Sequence, residues 1–158
     1  MEKGLYAGSF DPITFGHVDI IKKASRMFDK VYVAISQNTS KQPTFSSEQR
    51  LVFAKSALED LNNVEVVVSK ELTVDLAKNL GIKILIRGVR GSSDIDSEIS
   101  IADLNQSLDS TIQTIFIPTS PEFHSLSSSM IKEIARFGGD ISKFVPKKAA
   151  EALETKFS

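Results

Sequence analysis

The stretch Ala7-Gly8-Ser9-Phe10-Asp11-Pro12-Ile13-Thr14-Phe15-Gly16-His17 governs how the rest of the chain is read. It follows a short apolar run, Leu5 to Ala7, and precedes an amphipathic helical pattern from Val18 to Phe28. A strand, a tight turn and a helix start thus fall within about twenty residues. Such a turn aims backbone N–H groups and the positive end of a helix dipole at its occupant, and phosphate is the natural occupant. His17, in the first helical turn, is placed to donate a hydrogen bond to the same anion. An ordinary βα turn accounts for some of these residues separately. Gly8 and Gly16 supply tight geometry, Pro12 fixes a turn, and Thr14 caps the helix. Their combination at the end of the first strand favours a binding turn, because ligands of open α/β sheets bind at that end.

Size and charge narrow the classes. A chain of 158 residues suits one domain, 1–158, with a sizeable core. A net charge of −1 argues against a dominant electrostatic affinity for nucleic acid. The absence of cysteine excludes disulfides, thiolate zinc sites and a cysteine nucleophile, and it fits a cytoplasmic protein. Met1-Glu2-Lys3-Gly4 leads into a strand pattern and not into a signal-peptide core. No apolar run approaches the length that spans a bilayer. Neither nucleic acid nor membrane is therefore expected as a partner.

Short runs rich in Val and Ile alternate with helical patterns. The runs are Leu5–Ala7, Val31–Ile35, Val64–Val68, Ile82–Ile86 and Thr114–Ile117, apolar on both faces in places as buried parallel strands are. Helices are expected near 15–28, 47–61, 74–80, 94–109, 128–137 and 147–156. Ser46 with Gln49 forms a capping-box pattern, Gly81 and Gly138 sit where helices end, and Pro146 suits a helix start. This order predicts an α/β fold, a doubly wound (Rossmann-like) five-stranded parallel sheet with helices on both faces. Residues 36–46 form a polar loop on the ligand side, fit to close over a substrate.

Four further groups should converge at the carboxyl end of such a sheet. Lys41 lies in the loop after the second strand. Ile86-Arg87-Gly88-Val89-Arg90-Gly91 ends the fourth strand with two arginines, whose guanidinium groups suit bidentate phosphate contacts. Glu98 follows in the next helix, where Asp94 and Asp96 read as favourable negative charge near its N-terminus. Leu126-Ser127-Ser128-Ser129-Met130-Ile131-Lys132 opens a helix with three hydroxyls and unpaired N–H groups, or with one serine cap and two passengers. His124, beside Phe123, receives no catalytic role. The chain shows no metal-ligand spacing, Walker loop or serine–histidine–carboxylate order. Nucleotidyl transfer suits this inventory, because it needs positioning and charge stabilisation more than a protein nucleophile.

Taken together, Thr14-Phe15-Gly16-His17, Ile86-Arg87-Gly88-Val89-Arg90 and Ser127-Ser128-Ser129-Met130-Ile131-Lys132-Glu133 give a recognisable pattern. The chain resembles, end to end, the bacterial phosphopantetheine adenylyltransferases of the nucleotidyltransferase superfamily with a His/Thr-x-Gly-His motif. The resemblance implies transfer of the adenylyl group of ATP to 4′-phosphopantetheine, giving dephospho-coenzyme A and pyrophosphate by direct attack. It implies that His17 stabilises charge on the α-phosphate and that Ser9 and Phe10 contact ATP. It places ATP also against Gly88, Val89, Arg90, Glu98 and the run Phe123, His124, Ser125, Leu126, Ser127, Ser128 and Ser129. It assigns Ser9, Lys41, Thr73 and Arg87 to the acceptor. It further implies Mg2+ carried by ATP, with no metal held by protein alone, and a homohexamer.

Four positions depart from the family pattern. Ser9 stands for the usual threonine, Phe15 for a polar residue, and Ser97 and Ser125 for frequent aromatics. They touch nucleotide packing and leave the phosphate-handling set intact. The competing readings are a small nucleotidyltransferase with nicotinamide mononucleotide or a polyol phosphate as acceptor, and a non-catalytic nucleotide-binding module.

Overall fold

Alternate side chains of the strands enter two different cores. Leu5, Ala34 and Leu85 pack with Val74, Leu76 and Ala77 on one side, whereas Tyr6, Val33, Ile35 and Ile86 pack with Ile20, Ile21, Phe53 and Ile131 on the other. This is the period of two that a sheet covered on both faces imposes. A computed structural model of the chain describes residues 1–37 and 42–158. Lys41 therefore lies outside the described residues. The elements are β1 (Lys3–Gly8), α1 (Phe15–Met27), β2 (Lys30–Ser36), α2 (Ser47–Ala57), β3 (Val64–Ser69), α3 (Thr73–Leu80), β4 (Ile84–Val89), α4 (Ser92–Leu108), β5 (Gln113–Pro118), a 3-10 turn (Pro121–Phe123), α5 (Ser128–Arg136) and α6 (Lys147–Phe157).

The strands are parallel in the order β3-β2-β1-β4-β5. The doubly wound expectation holds. The sheet reverses direction of growth at β1, so a crevice opens between the carboxyl ends of β1 and β4. That crevice carries the site described below.

Local chemistry sets the helix ends. Ser46 and Gln49 form the expected capping box before α2. Gly81 ends α3 with φ 71, and Gly138 follows α5 with φ 76. Strand β4 begins at Ile84 and not at Ile82. The Ile82 N–H donates to the Ala77 carbonyl at 2.7 Å, so Ile82 completes the helix cap and has no part in the ladder.

Arg50 ties the sheet to the loops above it. Only 3% exposed, it donates from Nη1 to the carbonyls of Ser9 at 2.8 Å and Ser36 at 3.1 Å, and from Nε to that of Phe45 at 3.1 Å. One α2 side chain thus joins the exits of β1 and β2. Arg50→Met orphans three carbonyls, and urea unfolding should show a loss of roughly 3 kcal/mol, since an unsatisfied buried acceptor typically costs about 1–3 kcal/mol.

Candidate active site

The turn after β1 builds the site around His17. Thr14 caps α1: its Oγ1 accepts from the His17 backbone N–H at 3.2 Å, and His17 Nδ1 accepts from the Thr14 backbone N–H at 3.0 Å. The second bond decides the tautomer. A nitrogen that accepts from an N–H carries no proton, so the neutral ring holds its hydrogen on Nε2. Burial, and then the positive charge of Arg87 and Arg90, pushes the His17 pKa down to about 4. The ring is therefore neutral near pH 7 and presents an Nε2–H donor to the crevice. Phe10, with φ 46, packs edge-on against His17 at 4.9 Å and against Tyr6 at 5.2 Å. The strained backbone at Phe10 is held by this aromatic contact.

Two arginines face His17 across a cleft of about 220 Å³. Arg87, on β4, makes a bidentate pair with Glu98 of α4, from Nε to Oε2 at 2.7 Å and from Nη2 to Oε1 at 2.9 Å. Its Nη1 donates to the Ala7 carbonyl at the end of β1, at 2.7 Å. The Glu98 bonds raise the Arg87 pKa above its ordinary value. Arg90 donates from Nε to Asp94 Oδ2 at 3.2 Å and from Nη1 to the Leu126 carbonyl at 3.1 Å. Both guanidinium groups are thereby fixed before any ligand arrives.

The serine-rich segment closes the other side. Ser127 caps α5 by accepting from the Met130 N–H at 3.1 Å, and Ser128 Oγ donates to the Pro12 carbonyl at 2.9 Å. Asp11 accepts from the N–H groups of Thr44 at 2.7 Å and Phe45 at 3.0 Å, and Lys132 stands 3.6 Å from the same carboxylate. The first and third motifs are thus hydrogen-bonded to each other although more than one hundred residues separate them.

Three comparisons bear on this geometry. The family model described as Cytidylyltransferase-like matches residues 5–134. A phosphopantetheine adenylyltransferase of Lachnoclostridium phytofermentans is 45% identical over 158 residues, covering 100% of this chain and 97% of the relative. One from Lactobacillus acidophilus is 49% identical over 157 residues, covering 99% and 98%. The chain belongs to the phosphopantetheine adenylyltransferase family. A solved structure named as a nicotinate-nucleotide adenylyltransferase of Vibrio parahaemolyticus superposes with a TM-score of 0.72 over 98% of this chain and 93% of that one. Its identity is 18%, so it speaks for the fold alone.

Against this family background, the residues expected from sequence fall into three groups. His17, Arg87, Gly88, Arg90, Glu98, Leu126, Ser127 and Ser128 all line the one cleft. Thr73 lines a smaller apolar cavity of about 50 Å³ that shares Arg87 with it. Ser9, Phe10, Val89, Phe123, His124, Ser125 and Ser129 are not among the cleft-lining side chains. Phe10 and Val89 are buried in the core, whereas Ser9 and Ser125 are exposed. A Cβ at Gly16 would lie 3.8 Å from the Cβ atoms of Phe123 and Leu126, which places that segment over the start of α1. Gly88 has a packing reason: an added Cβ would meet Ile20 Cγ1 at 2.8 Å.

Asp94 corrects the sequence reading. It lies in the first turn of α4, as expected, but its carboxylate also holds Arg90 at the cleft wall. Tyr6 and Thr119 line the cleft as well and carried no sequence signal, being a strand residue and a loop residue of ordinary type. Burial drives the Tyr6 phenol up to about 12, so it stays protonated.

The pKa of His17 gives a signed prediction. Between about 4 and its ordinary 6.5 the unfolded chain binds the extra proton and the folded chain does not. Stability should thus fall as pH is lowered from 6.5 towards 4, and His17→Gln should remove that part of the fall. Imidazole nitrogen NMR should show the Nε2–H form with a midpoint near 4. A midpoint at or above 6.5 contradicts this reading.

Proposed function

We propose that the chain transfers the adenylyl group of ATP to 4′-phosphopantetheine, giving dephospho-coenzyme A and pyrophosphate, the penultimate step of coenzyme A synthesis. The observation that carries this reading is the end-to-end likeness to relatives of that name, in a chain whose motifs meet at one crevice. An oxygen of the acceptor phosphate attacks the α-phosphorus of ATP. The bond from that phosphorus to the bridging oxygen breaks, and pyrophosphate leaves with the electron pair. No protein nucleophile enters.

His17 donates from Nε2 to the α-phosphate oxygen on which charge grows. Its neutral state supports this role, because the proton is held on Nε2 by the Thr14 bond at Nδ1. Arg87 receives the acceptor phosphate. Three of its five N–H groups are spent on Glu98 and Ala7, and the other two suit a phosphate edge. Lys41 is assigned to the same phosphate from the sequence alone. Thr73 stands by the pantetheine arm, a placement supported by the apolar cavity next to Arg87. Gly88, Val89, Arg90 and the run Phe123–Ser129 hold ATP, with Ser9 and Phe10 contributing backbone. Glu98, assigned to ATP by the resemblance, also pairs with Arg87 and holds that guanidinium in place.

Magnesium enters with ATP as part of the substrate, where it neutralises the phosphates and eases departure of pyrophosphate. Among the described residues no group of three or more His, Cys, Asp or Glu is placed to hold a metal. Asp94 and Glu98, the carboxylates of the cleft, are each engaged by an arginine. Helix α4 has no buried residue and exposes Ile95, Ile99, Ile101, Leu104 and Leu108 by 36–66%, which supports self-association of the chain, and the resemblance implies a homohexamer. Among the described residues no helix is long and apolar enough to cross a membrane. The lack of cysteine fits the cytoplasmic location we propose.

Pyrophosphate release from MgATP should depend on 4′-phosphopantetheine and not on nicotinamide mononucleotide or glycerol 3-phosphate. Turnover with either of the latter, and none with the former, overturns the assignment. His17→Ala should lower kcat roughly 10²- to 10³-fold, the cost typical of removing one preorganised donor, with ATP binding retained. Arg87→Ala should raise the KM for the acceptor far more than that for ATP. Arg87→Lys should fail to restore it, since an ammonium does not reproduce the fork that grips Glu98.

A further inference from the structure

Asp19 sits on α1, two residues beyond His17 and outside the cleft lining. Among the described residues, its carboxylate accepts from both donors of Ser120: Oδ2 takes the backbone N–H at 2.9 Å and Oδ1 takes the hydroxyl at 3.0 Å. Lys23, one turn along the helix, lies 3.1 Å from Asp19 Oδ2 and donates to the Pro118 carbonyl at 2.7 Å. Helix α1 therefore grips the corner Pro118–Ser120, where the chain leaves β5.

That corner leads into the segment assigned to ATP. Thr119 is buried, donates its N–H to the Val89 carbonyl at 2.9 Å and accepts from His124 Nε2 at 2.8 Å. At its far end the segment is tied by the Arg90–Leu126 bond and by the Ser128–Pro12 bond. Its near end is tied by Asp19. The same helix thus carries the α-phosphate donor at residue 17 and the anchor of the nucleotide segment at residue 19.

We propose that Asp19 is a positioning residue for ATP, holding the Phe123–Ser129 segment in register with His17 so that a nucleotide bound by the segment presents its α-phosphate to Nε2. The inference rests on the reading that this segment holds ATP. Three physical points support it. The Asp19 side chain is 16% exposed, so its bonds to Ser120 are shielded from water. Desolvation alone pushes its carboxyl up, but the bonds from Ser120 and Lys23 outweigh this and hold it below its ordinary pKa, so it remains an ionised acceptor. Its bonds act on the Pro118–Ser120 corner, since helix α1 has anchors of its own. Helix α1 is anchored by buried Val18, Ile20, Ile21 and Ala24, and an i,i+4 ion pair of the Asp19–Lys23 kind adds little.

The test is calorimetric titration of MgATP alone into the wild type, Asp19→Ala, Asp19→Asn and Ser120→Ala, followed by both KM values and thermal unfolding. Asp19→Ala should weaken MgATP binding and raise its KM roughly tenfold, about the effect of losing one hydrogen bond to a charged group that orders the segment, while the KM for 4′-phosphopantetheine stays put. Asp19→Asn and Ser120→Ala should fall between, since each keeps one of the two bonds. Unchanged MgATP binding in Asp19→Ala overturns the proposal. So does an equal rise in both KM values, or a lowered Tm with both KM values unchanged. A wild type that binds MgATP but does not transfer to 4′-phosphopantetheine overturns the acceptor assignment, and the Asp19 comparison still reads by calorimetry. A wild type that does not bind MgATP overturns both.

Discussion

The reciprocal bond between Thr14 and His17 is the constraint on which the site depends. A capping box normally satisfies N–H groups at a helix start with an acidic or amide side chain three residues in. Here the third residue is a histidine, and the cap is made by Nδ1. One interaction therefore ends the turn, starts α1, orients the imidazole and leaves the proton on Nε2. Burial, reinforced by the two arginines opposite, then keeps the ring neutral, because a further positive charge beside them is costly. The helix start and the chemical group are the same object, so the site is as rigid as the helix.

The cleft is also built so that its cations do not move freely. Arg87 is held by Glu98 and Ala7, Arg90 by Asp94 and Leu126. Paired carboxylates lower the net charge of the cleft, yet they keep each guanidinium aimed. For two anionic reactants that repel each other, fixed donors matter more than total charge, because no reorganisation is needed as charge shifts from one phosphate to the other. The carboxylates sit on α4 and the arginines at the end of β4, so the consecutive β4–α4 unit supplies both members of each pair.

Much of this was legible in the chain. The alternation of Val- and Ile-rich runs with helical patterns fixes a doubly wound sheet, and Ser46–Gln49, Gly81 and Thr14 mark helix ends by local chemistry alone. Motifs with unusual residues at strand ends, such as Arg87 and Arg90, reveal themselves for the same reason. What stayed hidden was long-range. Nothing near Asp94 in sequence says whether it serves the helix dipole or Arg90, because both uses want an acid in the first turn. Asp11, Asp19 and Arg50 each reach partners far along the chain, Ser36 from Arg50 across 14 residues, Ser120 from Asp19 across 101 and Lys132 from Asp11 across 121, and a lone charged residue in a helix or turn carries no sign of them. Ile82 looked like strand because hydrophobicity does not distinguish a buried cap from a buried ladder.

The neutral Nε2–H form of His17 carries a stereochemical consequence. A ring nitrogen that holds a proton has no free lone pair to attack phosphorus, so under the role proposed for His17 the acceptor displaces pyrophosphate in a single in-line step, with no adenylyl-histidine. Transfer from ATP made chiral at the α-phosphorus with sulfur and oxygen isotopes reads this directly. Inversion of configuration in the dephospho-coenzyme A product is the predicted result. Retention would mean two displacements through a covalent enzyme intermediate, and would contradict the role assigned to His17.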